Sequence, residues 1–143
     1  MKALTAFLAL FLFSSCSAPK QSIGEQPFKV ELFSSGGFAG TASGVTVTSN
    51  GWAMFWQGRS AALQTVVDSV KLSEETRGRI FSLLGREENF SVNSQTTGNM
   101  TTTLMLQLGQ KSNRVSFAGQ EVPTSFPDAT KELILELRTL HAK

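Results

Sequence analysis

Apolar and polar residues alternate through residues 28–32, Phe-Lys-Val-Glu-Leu, the pattern of a half-buried strand. Residues 44–48, Gly-Val-Thr-Val-Thr, alternate again and are rich in β-branched side chains. Asn50-Gly51 follows, a dipeptide suited to a type I′ hairpin turn because both central positions of that turn need positive φ. Trp52-Ala53-Met54-Phe55-Trp56 returns as a third strand, apolar on both faces and so expected to be central or covered. Gly58-Arg59-Ser60 turns the chain, and residues 63–70 read as a fourth strand.

Ser73-Glu74-Glu75 opens a helix, with a serine cap and acids in the first turn. Ile80, Phe81 and Leu84 form its apolar stripe, and Gly85 is placed to end it. The polar residues 87–98 are expected to be an exposed loop or a strand edge. Residues 101–108 place Leu104, Leu106 and Leu108 on one face of a strand; 109–113 turn; 114–117 return. Pro127 suits the first turn of a last helix, whose buried stripe is Leu133, Ile134, Leu137 and Leu140. The order of elements and the hairpin-length links predict an α+β fold: a single small domain, an antiparallel sheet with two helices packed on one face.

Between the first two strands lies Ser34-Ser35-Gly36-Gly37-Phe38-Ala39-Gly40. A phenylalanine among glycines is either a plug folded back into the core or a side chain offered to a partner, and the plug is the simpler expectation. The loop is no phosphate cradle, because it leads into a strand rather than a helix and carries no lysine.

Candidate chemistry elsewhere is sparse. The 143 residues carry 13 basic and 11 acidic side chains, net charge +2, which argues against a nucleic-acid binder. One cysteine, Cys16, allows no internal disulfide, and one histidine, His141, lies three residues from the end. A metal centre needs several converging ligands and a nucleophile needs a placed base; neither is visible, so no enzyme and no cofactor are expected. Glu74-Glu75 and Glu87-Glu88 read as solvated acids, and Thr101-Thr102-Thr103 as an ordinary polar strand.

The N-terminus reads as an address. Met1-Lys2, an apolar run over 3–13 and Ser14-Ser15 form a secretory signal. Phe13-Ser14-Ser15-Cys16 is similar to a bacterial lipobox, with phenylalanine where leucine is more common. The similarity implies cleavage before Cys16 and a lipid on its sulfur, so residues 1–15 are the signal and 16–27 a lipidated cysteine and proline-bearing tether. Residues 28–143 are the folded domain. Ser17 follows the cysteine where inner-membrane retention would favour aspartate, so an outer-membrane anchor in the bacterial envelope is expected.

Ser35-Gly36-Gly37-Phe38-Ala39-Gly40 after an opening strand resembles the emfourin family, small bacterial inhibitors of thermolysin-like metalloproteases. The six-residue motif is the sharp part of the match; the later order of strand hairpin and leucine-rich helix agrees with the family's layout. The resemblance implies a binding domain whose partner is such a protease and whose contact is these six residues, with Phe38 entering the apolar pocket beside the enzyme's zinc. The alternative is an envelope interaction module without a protease target, using an exposed sheet face.

Overall fold

The computed structural model describes residues 26–59 and 63–140. Six strands form one antiparallel sheet: β1 (Phe28–Gly36), β2 (Thr41–Thr48), β3 (Trp52–Gly58), β4 (Gln64–Lys71), β5 (Met100–Leu108) and β6 (Lys111–Ala118). Helices α1 (Glu74–Leu84), α2 (Glu87–Ser91) and α3 (Asp128–Thr139) complete a single α+β domain. In space the strands run β4-β3-β2-β1-β5-β6. The first half of the chain therefore builds outward from one side of β1, and the second half from the other.

Register explains the core. Leu32 lies opposite Val45 on one side and Leu104 on the other; Val30 lies opposite Val47 and Leu106. Side chains alternate along a strand, so these residues share one face. α1 brings Ile80, Leu83 and Leu84 to that face, and α3 brings Leu133, Ile134 and Leu137. Each fully buried aliphatic side chain contributes about 1.5–3 kcal/mol relative to exposure.

The helix starts follow local chemistry. Ser73 Oγ accepts from the Thr76 N–H at 3.1 Å, with Glu74 and Glu75 in the first turn. Gly85 caps α1 as expected but stays right-handed, with φ −67°. Pro127 stands at the N-cap of α3.

Three expectations are corrected. Residues 87–98 provide the expected strand edge at 94–96, which run beside β6 with the Ser116 N–H donating to the Ser94 carbonyl, but α2, which was not expected, forms before it. Among the described residues the helices thus number three rather than two. The Asn50-Gly51 turn is not type I′. Only Gly51 has positive φ, 82°, and its N–H donates to the Thr48 carbonyl, giving a three-residue loop with a left-handed third position.

What stabilises α2 is a buried polar knot. Asn89 is wholly buried; its Nδ2 donates to the Leu83 carbonyl at 2.7 Å, and its Oδ1 accepts from Thr130 Oγ1 at 2.8 Å. One side chain therefore ties the end of α1 and the start of α3 to α2.

Among the described residues no helix covers the opposite sheet face, which has a small core of its own, Phe33, Ala42 and Trp56. Phe33 and Trp56 flank Gly44, with ring centroids 5.6 Å apart. A Cβ on Gly44 would lie 2.5 Å from Phe33 Cβ, so the missing side chain makes the aromatic contact possible. Glu31, also buried here, accepts from Gln64 Nε2 at 3.1 Å and pairs with Lys29 at 3.3 Å. Gln64 lies in β4, three strand positions from β1, which a flat sheet would separate by about 14 Å. The β3–β4 end of the sheet therefore curls over this face, aided by the irregularity opposite Phe55 and Trp56.

Asn89→Ala leaves the Leu83 carbonyl and Thr130 hydroxyl without these partners. It should destabilise the domain by about 2–4 kcal/mol, read as a lower urea midpoint. Adding Thr130→Val should cost less than the sum of the two single changes.

Candidate functional site

Gly36 pairs with Thr41, so four residues, Gly37-Phe38-Ala39-Gly40, connect β1 to β2. The Gly40 N–H donates to the Gly37 carbonyl at 3.2 Å, closing a β-turn with Phe38 and Ala39 at its centre. Neither central residue has positive φ. Positive φ falls on the glycines around them: 116° at Gly36, 73° at Gly37 and 59° at Gly40. The motif's spacing thus places glycine wherever the loop needs a left-handed backbone.

Gly36 has a second reason to lack a side chain. A Cβ there would lie 2.2 Å from the Asn99 carbonyl oxygen, and the next N–H, that of Gly37, donates to the same oxygen at 2.7 Å. The loop is pinned by backbone to the residue that leads into β5. Below it, Ser34 and Thr102 hydroxyls meet at 3.1 Å, and Thr102 Oγ1 donates to the Gly119 carbonyl at 2.6 Å. Thr103 and Ser116 hydroxyls meet at 3.0 Å. The threonines at 102 and 103 knit strands together rather than line a site.

Phe38 is not a core plug. Its side chain is fully exposed, at 112 % of the reference area. Beneath the loop, Met100 Sδ lies 3.4 Å from where a Gly37 Cβ would stand. Among Ser35, Gly36, Gly37, Phe38, Ala39 and Gly40, none is ionisable, so the tip presents a neutral surface with one aromatic ring.

The tip lies at a defined pole. β1 starts beside the end of the tether, where the Gly109 N–H donates to the Pro27 carbonyl. It ends, nine residues on, at the turn. Eight steps of about 3.3 Å separate the two, so the turn that bears Phe38 begins about 26 Å from the tether's point of arrival.

The other candidates are dispersed. Glu74 pairs with Arg77 at 2.6 Å, Glu87 pairs with Lys111, and these acids are exposed. Cys16 and His141 lie outside the described residues. Among the described residues no group of three or more His, Cys, Asp or Glu is placed to hold a metal, and no helix is long and apolar enough to cross a membrane. The signal missed in the sequence was the partner of the glycines: nothing in Asn99-Met100 marks it as the surface on which Gly36 closes. Compared with known proteins, the chain matches no family model and no curated protein sequence.

The glycines should not be equivalent. Gly36→Ala collides with the Asn99 backbone and should lower the unfolding midpoint most, by upwards of about 2 kcal/mol in stability. Gly40→Asn, at φ 59° with nothing within 4 Å, should cost under about 1 kcal/mol. Equal losses from the two changes would contradict the pinned geometry.

Proposed function

We propose that the chain is a bacterial envelope lipoprotein whose domain acts by binding, and that it inhibits thermolysin-like metalloproteases through Phe38. The single observation carrying this reading is the exposed phenylalanine on a turn held by three positive-φ glycines and the Asn99 carbonyl. A solvated aromatic ring brings no stability to its own fold. Buried in an apolar pocket, the ring would contribute about 1.5–3 kcal/mol. A pinned turn loses little freedom on docking, so more of that contribution survives as affinity. Thermolysin-like enzymes favour a large apolar residue beside the zinc, the pocket such a ring would fill.

The anchor fits the same picture. With Cys16 lipidated and residues 17–27 as tether, the domain hangs from the β1 start and offers its tip away from the membrane. An outer-membrane attachment is part of the proposal. Binding requires no catalytic group, and the domain is read as a non-enzyme.

A second reading rests on β4. All eight residues of this edge strand are exposed, Val66, Val67 and Val70 among them. An exposed edge with apolar side chains can add a partner's strand. The domain would then be an envelope interaction module with no protease target.

The chain should slow peptide hydrolysis by a thermolysin-like protease, and Phe38→Ala should weaken the inhibition about 30-fold or more, the effect of losing a central aromatic anchor. A well-folded wild type that leaves the protease untouched refutes the reading. In a pull-down from envelope extract, a secreted zinc protease as prey favours inhibition; an envelope assembly component retained through β4 favours the second reading. Radiolabelled fatty acid should mark the chain and be absent from Cys16→Ala; label that persists rules out the lipid at this cysteine.

A further inference from the structure

Beyond the last turn of α3, the helix-covered face of the sheet continues for one more row, and that row is polar. Leu32, Val45 and Phe55 form the last apolar row; two residues on, Ser34, Ser43 and Gln57 lie side by side across β1, β2 and β3. A pocket of about 320 Å³ opens over this boundary, with Leu137 and Arg138 of α3 on its helical side. Its wall is thus aliphatic and aromatic, its floor polar and its rim cationic.

Arg138 is the informative group. The ion pairs among the described residues engage Lys29, Arg77, Arg79, Lys111 and Lys131, and Arg138 is in none of them. It is half-buried, and among the described residues its guanidinium donates one hydrogen bond, from Nη2 to the Gln120 carbonyl at 2.6 Å. A guanidinium has five N–H donors, so most remain to be used. Burial lowers its pKa from the ordinary arginine value, the direction expected of a cation withdrawn from water without a counter-ion. Around it, the Ser43 hydroxyl and Gln57 amide have no protein partner among the described residues. Ser34 differs: Thr102 gives its proton to Gly119, so Ser34 donates to Thr102 and shows the pocket only acceptor lone pairs.

A half-buried cation beside an apolar wall, with unused donors nearby, has the composition of a site for an amphipathic acid. We propose that this pocket binds a carboxylate carried on a short apolar stem, the carboxylate on Arg138 with Ser43 or Gln57 as further donors and the stem against Phe55 and Leu137. Two sources have this chemistry: a free medium-chain fatty acid, and a protein C-terminus ending in an aliphatic residue. The proposal does not rest on the reading of Phe38, whose ring lies on the hairpin turn and not in this pocket.

The test titrates the full-length chain with octanoate, with octylamine and octanol as controls of equal stem length. Binding is read by isothermal titration calorimetry and by amide shifts at Ser43 and Arg138. A parallel titration uses Ala-Leu-Leu with a free and with an amidated C-terminus. Octanoate, the free peptide or both should saturate the site, while octylamine, octanol and the amidated peptide should not. Octanoate alone assigns a free acid, and the peptide alone assigns a protein terminus. Arg138→Gln should weaken binding at least tenfold, with Arg138→Lys intermediate. Should Arg138→Gln fail to fold, Ser43→Phe, on an exposed strand position, fills the pocket and should abolish binding. Failure of both acids to bind, equal binding of octylamine, or undiminished binding by these variants overturns the proposal. Arg138 would then serve only the Gln120 carbonyl and the carbonyl end of α3.

Discussion

A sheet buries only the surface that something else covers, and here the cover is narrower than the sheet. α1 and α3 pack on each other and lie over the rows led by Val30 and Leu32. β4 is beyond their reach, and its residues are exposed throughout. Among the described residues no helix covers the opposite face, yet Phe33 and Trp56 on it are almost fully buried. The sheet supplies that cover itself, by curling until Gln64 of the edge strand meets Glu31 of the central one. Gly44 permits the two aromatic rings to close over β2, and Trp56 Nε1 finds an acceptor in Thr46 at 3.2 Å. The fold therefore has a large core under helices and a small one under its own twist.

β1 joins the two cores and also leads to the candidate site. Its residues alternate between Val30 and Leu32 for the helical core and Glu31 and Phe33 for the other. Where the alternation gives way to serine and glycine, the strand does not stop, because β5 continues to pair with it through Gly36 opposite Met100. That extra length carries the turn clear of both cores. The exposure of Phe38 is thus a product of strand pairing as much as of the loop's own glycines.

What the sequence made legible was whatever depends on neighbours along the chain. Leu104, Leu106 and Leu108 alternate and share the buried face; Ser73 and Pro127 open their helices. What it concealed depends on residues far apart. α2 is five residues, polar except for Phe90, whose helix is held by Asn89 reaching Leu83 and Thr130. Ser34 and Ser35 carry no periodicity, and their partners on both sides, Ser43 and Ala42 in β2 and Thr102 and Thr101 in β5, make them strand. Phe38 had two outcomes, and the choice lay with Asn99 and Met100, some sixty positions away. Arg138 reads as an ordinary polar residue of a leucine-rich helix, because its missing counter-ion is a fact of three dimensions.

The placement of β1 has a mechanical side. Its first residue adjoins the tether and its last adjoins the displayed turn. Hydrogen bonds to β2 and β5 run across it on both flanks for most of its length. A pull between the two ends therefore acts along the strand and perpendicular to those bonds, loading them together in shear instead of peeling them in succession. A partner that held the turn while the tether held its attachment would be pulling on the most resistant line through the molecule.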